Sequence, residues 1–444
     1  MKILHYFLGF PPYRSGGMTK YAVDLMYSQA EQGDMVNALW PGTMLSAGGE
    51  IKIRKRKSVK GVHSYELINP LPVPLDEGIK AVQAFMTPCD RQIYQEFLNH
   101  LKPDVIHVHT LMGLHRELLD VASELQIRLV FTSHDYFGIC PKVNLFRQGQ
   151  VCMNDHNCAD CAKCCESALS LKKIWVLQSP LYRRMKNSSF VKVMRKKHRT
   201  AFFTENTFKP DMVVSEKQAA QYQSLRKYYL EMLQMMDQIH FNSTVTHEVY
   251  CRYFTPKNAV IKSITHNDIR DNRKENKWEP RDVLRLTMLS PAKPLKGFQL
   301  IQTALDGLWE SGKRDFELRL FSPVIKPSPY MIIREDGYRY EELGEILQNT
   351  DVLLAPSVGY ETFGFTALEA LSYCVPVIVS DRMGVKDIVK GGGYVLEAGN
   401  ITQLREMVAS LTPNVIRNMR ENIEHDGEIK LWEQHTLEIY ALYK

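Results

Sequence analysis

Two short apolar runs, Asp351-Val-Leu-Leu-Ala-Pro356 and Val375-Pro-Val-Ile-Val-Ser380, constrain this chain more than any other feature. Each is strand-length and dominated by aliphatic residues, which reads as a strand buried on both faces of a parallel sheet. The residues between, Glu361-Thr-Phe-Gly-Phe-Thr-Ala-Leu-Glu369 and Ala370-Leu-Ser-Tyr-Cys374, then form the helix that joins them. This places Glu361 in the loop at a strand's carboxyl end, where open α/β sheets bind ligands. Glu369 falls about two turns into the helix, roughly 12 Å along its axis at 1.5 Å per residue.

Two Glu at this spacing also suit a plain solvated helix with Phe363-Gly364-Phe365 as a packing contact. The helix N-terminus between them, however, favours an anion, because its free amides and its dipole point there. A sugar nucleotide, elongated with an anionic middle, has the matching shape. Pro-Ser before Glu361, and Glu-Ala-Leu-Ser with Val-Pro-Val-Ile-Val-Ser after it, complete a pattern that resembles the E-x7-E region of the family-4 retaining glycosyltransferases of GT-B fold. The likeness covers most of the chain and is strongest from about 281 to 390, in 1–30 and in 104–165. It implies an α/β protein of two Rossmann-like, doubly wound parallel-sheet domains facing a central cleft.

At 444 residues the chain exceeds one comfortable core, so two domains of about 200 residues each are expected. Strands at Ile3–Leu8, Met35–Trp40, Asp104–His109, Arg128–His134 and Ile239–Ser243, with a helix at Gly17–Gln32, make the first unit. A polar loop from Asn267 to Pro280 precedes the strands Leu284–Leu289 and Phe316–Phe321 and the helices Phe298–Ser311 and Glu341–Gln348 of the second. The boundaries expected are 1–240 for the acceptor side, 241–428 for the nucleotide-sugar side, and 429–444 for a last helix crossing back, the crossing being what the resemblance implies. Composition, 44% hydrophobic and 24% charged, is that of an ordinary soluble protein. Met1 to Pro12 reads as a first strand and not a leader, and no run of about 18 apolar residues suggests a membrane span. A net charge of +6 does not suggest nucleic acid, and the expected location is the cytoplasm, at most peripheral to the inner face of the cell membrane.

The resemblance assigns roles residue by residue. It implies transfer of a hexose from a nucleoside-diphosphate sugar, with retention, to a glycan or lipid-linked acceptor, in the setting of bacterial surface-polysaccharide assembly. Glu361 would bond hydroxyls of the transferred sugar and Glu369 those of the ribose, while the amides of Phe363, Gly364 and Phe365 with Lys296 would hold the diphosphate. The family's Arg before that Lys is missing, since Ser290 and Pro291 stand there, and Lys293 is the candidate replacement. Gly16-Gly17 opens the first helix beside donor phosphate and acceptor, Arg14 is a candidate for acceptor charge, and His134 would touch the transferred sugar. His107 and His109, inside a strand, read as structural. No metal is expected in the chemistry. Two rival readings on the same fold are a sugar-nucleotide epimerase and a non-catalytic binding or scaffold subunit.

Two further clusters stand out. Cys140, Cys152, Cys158, Cys161, Cys164 and Cys165 fall within 26 residues, and in a reducing compartment such a cluster points to metal before disulfides. Cys140, Cys152, Cys158 and Cys161 form the candidate zinc set, with an iron–sulfur cluster or plain thiols as alternatives. Between Leu171 and Thr200 ten Lys and Arg occur with no acid, interleaved with Trp175, Leu181, Tyr182, Met185 and Phe190. That pattern suits either an anionic membrane surface or a solvated basic face.

Overall fold

The computed structural model describes residues 1–45, 49–74, 78–147, 149–152, 158–186, 188–189, 191 and 213–444. Its first sheet has eight strands in the order β10-β9-β6-β5-β1-β2-β4-β3. These are β1 (Lys2–Tyr6), β2 (Met35–Pro41), β3 (Lys52–Val59), β4 (Val62–Ile68), β5 (Val105–Val108), β6 (Arg128–Thr132), β9 (Gln238–Phe241) and β10 (Ala259–Ile261). The small hairpin β7 (Phe146–Arg147) and β8 (Gln150–Val151) stands apart. All pairings of the large sheet are parallel except β3 with β4. β3 and β4 are joined by a tight turn with Lys60 at φ 45° and Gly61 at φ 80°, the left-handed pair that matches hairpin twist.

The second sheet is wholly parallel, in the order β13-β12-β11-β14-β15-β16. Its strands are β11 (Leu284–Met288), β12 (Phe316–Leu320), β13 (Met331–Ile333), β14 (Val352–Ala355), β15 (Val377–Ser380) and β16 (Gly393–Leu396). Renumbered within the domain, that order is 3-2-1-4-5-6, the doubly wound arrangement whose ligand crevice opens where the order reverses. The reversal lies between β11 and β14. The first sheet reverses in the same way between β1 and β5, and its last strand, β10, falls beyond residue 240, where the sequence reading ended that domain.

The central strands are apolar throughout. Residues of β11, β14 and β15 are all buried, as parallel strands covered on both faces must be. Helix α1 (Gly17–Glu31) covers one face of the first sheet, α2 (Leu171–Gln178) and α3 (Pro180–Met185) lie after the cysteine segment, α4 (Phe298–Glu310) follows β11, and α5 (Phe365–Ser372) follows β14. The last helix, α6 (Trp432–Leu442), returns to the first domain. Trp432, Ile439 and Leu442 share a core with Ile3, Tyr21, Leu25, Val105 and Val130, and Arg128 Nε donates to the Leu442 carbonyl at 2.9 Å. Of the basic stretch 171–200, residues 187, 190 and 192–200 lie outside the described residues.

Candidate functional site

The loops after β11 and β14 meet at the sheet's reversal. Gly297 is held at φ +81°, and a Cβ there would stand 2.1 Å from the Pro356 carbonyl oxygen, so only glycine lets the two loops touch. The Leu295 carbonyl accepts from the amides of Val358 (3.0 Å) and Gly359 (3.2 Å). This stitching sets Lys296 against Glu361. Lys296 Nζ is 2.8 Å from Glu361 Oε2, with the side chains 28% and 14% exposed, and the Ser357 hydroxyl donates to Glu361 Oε1. The Glu361 backbone is fixed by a parallel bridge to Met383 and by its amide on the Arg382 carbonyl at 3.0 Å. Lys293, half-buried, precedes the short turn Pro294–Lys296 and accepts the Lys296 amide on its carbonyl at 3.1 Å.

Gly364, at φ 120°, caps α5 without a side-chain bond, and the first helical amides, from Phe365 on, have no acceptor within the helix. Phe363 is buried beneath them beside Leu368 and Trp432. Across the cleft, Gly16 (φ 118°) opens α1, and a Cβ on Gly17 would meet the Phe365 ring at 3.2 Å. Two helix N-termini, one from each domain, therefore face the same space. Thr362 ties them: its hydroxyl donates to the His134 carbonyl at 3.2 Å, and its carbonyl accepts from the Ser243 hydroxyl at 2.7 Å.

Glu369 lies deeper than a solvated helix face would put it. It is 7% exposed, with Oε1 at 3.3 Å from His266 Nε2. The His266 ring packs edge-on against Phe365 and Tyr340. Ser357, His266, Tyr340 and Thr362 are the site neighbours that sequence reasoning missed; none sits in a pattern that a linear reading can connect to Glu361 or Glu369.

His134 ends a chain of hydrogen bonds whose direction can be worked out. His240 Nε2 is 2.8 Å from the Lys262 carbonyl, which only accepts, so the proton is on Nε2. Nδ1 of His240 then takes the Thr132 hydroxyl (3.1 Å), and Thr132 accepts from His107 Nε2 (2.8 Å). His107 Nδ1 accepts from the Tyr443 hydroxyl (2.7 Å), which accepts from Gln29 Nε2 (3.2 Å). Gln29 Oε1 accepts from His5 Nε2 (2.7 Å), His5 Nδ1 from His109 Nε2 (3.0 Å), and His109 Nδ1 from His134 Nε2 (3.3 Å). Every ring is neutral in this scheme, and His134 is left with Nδ1 as an acceptor.

Burial outweighs the Gln29 bond and lowers His5 to about 4, burial with nearby His435 lowers His240 to about 3, and burial first and neighbouring imidazoles second hold His107 and His109 well below the usual range. Below pH 6.5 the unfolded chain binds protons that the folded one refuses, so stability is full above that pH and falls as pH drops toward these folded values. One unit below, each such His costs about 1.4 kcal/mol. Thermal unfolding between pH 7.5 and 5 should show a steep fall in Tm starting near 6.5; a flat profile would mean that the rings are charged in the fold.

The cysteines gather along one wall of the first domain, among residues packed with its main core. Among the described residues, however, the one trio of metal-ligating atoms within 4.8 Å of one another is His5, His107 and His109, so Cys140, Cys152, Cys158 and Cys161 are not drawn together as a ligand set. Arg226 Nη2 donates to Cys161 Sγ at 3.4 Å. Burial pushes the thiol of Cys140 up, and those of Cys164 and Cys165 to about 12.

Two family models match the chain: Glycosyltransferase Family 4 over residues 15–153 and Glycosyl transferases group 1 over 336–428. These matches indicate a GT-B glycosyltransferase of the group 1/family 4 type. No curated protein matches by sequence. Among solved structures, sucrose-phosphate synthase from Thermosynechococcus elongatus aligns at TM-score 0.56 and 14% identity, over 99% of this chain and 98% of that one. The α,α-trehalose-phosphate synthase of Burkholderia xenovorans aligns at 0.53 and 11%, over 100% of each chain. HepE from Anabaena aligns at 0.52 and 12%, over 99% of each. They share the GT-B fold, with its two Rossmann-like domains. Among the described residues of this glycosyltransferase, no helix is long and apolar enough to cross a membrane.

Proposed function

We propose that this glycosyltransferase moves a hexose from a nucleoside-diphosphate sugar to a glycan acceptor with retention at the anomeric carbon, and that the acceptor is lipid-linked. The observation that carries the donor reading is the Lys296–Glu361 pair at the sheet reversal, beside the open N-terminus of α5. A diphosphate at that terminus is within reach of Lys296, while Glu361 accepts from hydroxyls of the attached sugar. Glu369, about two helical turns further in, accepts from the ribose. The solved relatives point the same way: HepE was determined with UDP and glucose, and the Burkholderia xenovorans enzyme with glucose-6-phosphate.

The decisive experiment screens nucleotide sugars by thermal shift, then follows transfer to a glycan acceptor by NMR of the product's anomeric proton. A donor at 100 times its dissociation constant should add about 2.7 kcal/mol of stability, and the product should keep the donor's anomeric configuration. An inverted product, or release of an epimerised nucleotide sugar without acceptor, would overturn the reading.

The lipid-linked acceptor is supported by α2 and α3, which expose Val176 (61%), Leu181 (67%) and Met185 (45%) beside exposed Lys172, Lys173 and Arg184. Apolar tips among basic groups suit an anionic bilayer surface, where each charge adds about 1 kcal/mol. Anionic vesicles should pull the protein down at low salt and release it near 0.5 M salt, and Leu181→Ser should weaken the association. Equal binding to neutral vesicles would remove the electrostatic part of this claim.

A further inference from the structure

A second polar cluster lies on the first domain, at the loop after β1. Tyr13 carries three cations around its ring: the Arg183 guanidinium is 4.0 Å from the ring centroid, that of Arg14 4.9 Å, and Lys186 Nζ 5.3 Å. Lys186 Nζ also donates to the Pro12 carbonyl at 2.6 Å. The acid facing them is Glu66, which is 2% exposed and already accepts from the Thr43 amide and hydroxyl (both 2.8 Å), from Arg56 Nε (2.6 Å) and from Arg183 Nη1 (2.6 Å). Positive charge is therefore in excess here.

Four polar atoms of this cluster are shielded from solvent with no hydrogen-bond partner among the described residues: Tyr13 Oη, Arg14 Nε, and Arg183 Nε and Nη2. Stacking on the ring does not satisfy these groups, because guanidinium N–H bonds point outward in the guanidinium plane. Each unsatisfied buried donor costs about 1–3 kcal/mol, so a purely structural role leaves the arrangement unexplained. A compact oxyanion would take the paired N–H fork of Arg183, the Nε–H of Arg14 and the Tyr13 hydroxyl together, and a phosphate has the oxygens and charge to do so.

We propose that Tyr13, Arg14 and Arg183 form a phosphate-binding site for a phosphate group carried by the acceptor. The assignment to the acceptor rests on the transferase reading. Its geometry is independent of it, because the cluster sits at the reversal of the first sheet, on the domain opposite Lys296 and α5. All three residues fall outside the two matched segments, 15–153 and 336–428, so this site belongs to this chain's own elaboration of the fold. The basic stretch that the sequence suggested for a membrane thus sends Arg183 inward, to the loop that opens the cleft.

The test titrates inorganic phosphate into the full-length protein by calorimetry, with and without a saturating nucleoside diphosphate. Phosphate should bind in both conditions, and Arg14→Gln and Arg183→Gln should each weaken it about tenfold or more, leaving nucleoside diphosphate affinity unchanged. Arg183→Gln also removes a partner of Glu66, so Arg14→Gln, whose side chain makes no hydrogen bond among the described residues, is the clean variant. Its Tm should match the parent. Phosphate affinity unchanged in Arg14→Gln, or phosphate displaced by the nucleotide, would overturn the site. Failure of nucleoside diphosphate to bind at all would instead count against the transferase reading. Competition by a soluble hexose phosphate alone assigns a soluble acceptor, competition by a polyprenyl diphosphate in neutral vesicles alone assigns a lipid-linked one, and competition by neither overturns the acceptor assignment.

Discussion

Lys296→Ala should lower kcat for sugar transfer by about 10²–10³, the usual cost of one preorganised donor aimed at developing charge. The leaving diphosphate gains charge as the sugar bond breaks, and Lys296 is the cation that the Gly297 turn locks in the crevice beside Glu361. Glu361→Gln should also remove most transfer, yet leave nucleoside diphosphate affinity within about threefold, since it touches only the sugar side. Glu369→Ala should do the reverse and weaken the bare nucleotide. Steady-state kinetics with nucleotide titration of the three variants checks this division. Equal loss of nucleotide affinity in all three would mean that the crevice is one undivided ion network and not a site with a sugar end and a ribose end.

Asp351→Ala should cost the second domain about 3–5 kcal/mol, the range for breaking a buried ion pair from one side. Asp351 and Arg285 have side chains 5% and 4% exposed, and the carboxylate accepts from Arg285 Nη2 (2.9 Å), the Arg285 amide (2.7 Å) and Trp278 Nε1 (2.8 Å). Removing it strands a guanidinium, an amide and an indole N–H away from water. The bond also clamps the start of β14 to β11, the two strands whose far ends carry Glu361 and Lys296. Denaturant unfolding, monitored with a nucleotide bound and free, should show the loss in both states. A cost under about 1 kcal/mol would mean that water reaches Arg285, and that the pair is not the clamp it looks to be.

Much of this protein was legible in the linear chain because it depends on short-range pattern. Strand-length apolar runs announced β1, β2, β5, β6, β11, β12, β14 and β15, and their alternation with helices required parallel sheets. The spacing of Glu361 and Glu369 placed one in a loop and the other in a helix, as the structure has them. Gly16-Gly17, Gly364 and Lys296-Gly297 marked turns whose backbone only glycine adopts cheaply. The β3–β4 hairpin escaped notice because β3, Lys-Ile-Arg-Lys-Arg-Lys-Ser-Val, hides its alternation under exposed basic groups on an edge strand.

Only the tertiary structure decided which distant residues meet. Lys296 and Glu361 pair because the sheet reverses between β11 and β14, and strand order is a matter of three-dimensional packing that no local pattern encodes. The same holds for the His5–His109–His134 relay, drawn from three strand regions and closed through Tyr443 of the returning chain end. Its members look separately like buried histidines, and their common tautomer follows only from the bonds between them. Arg183 belongs to a run of basic residues that spacing alone would leave in solvent or on a membrane. It turns inward because Glu66, on β4, and the Tyr13 ring offer it a partner and a face. Pattern determined the elements and their turns; contacts between residues more than a hundred positions apart determined the site.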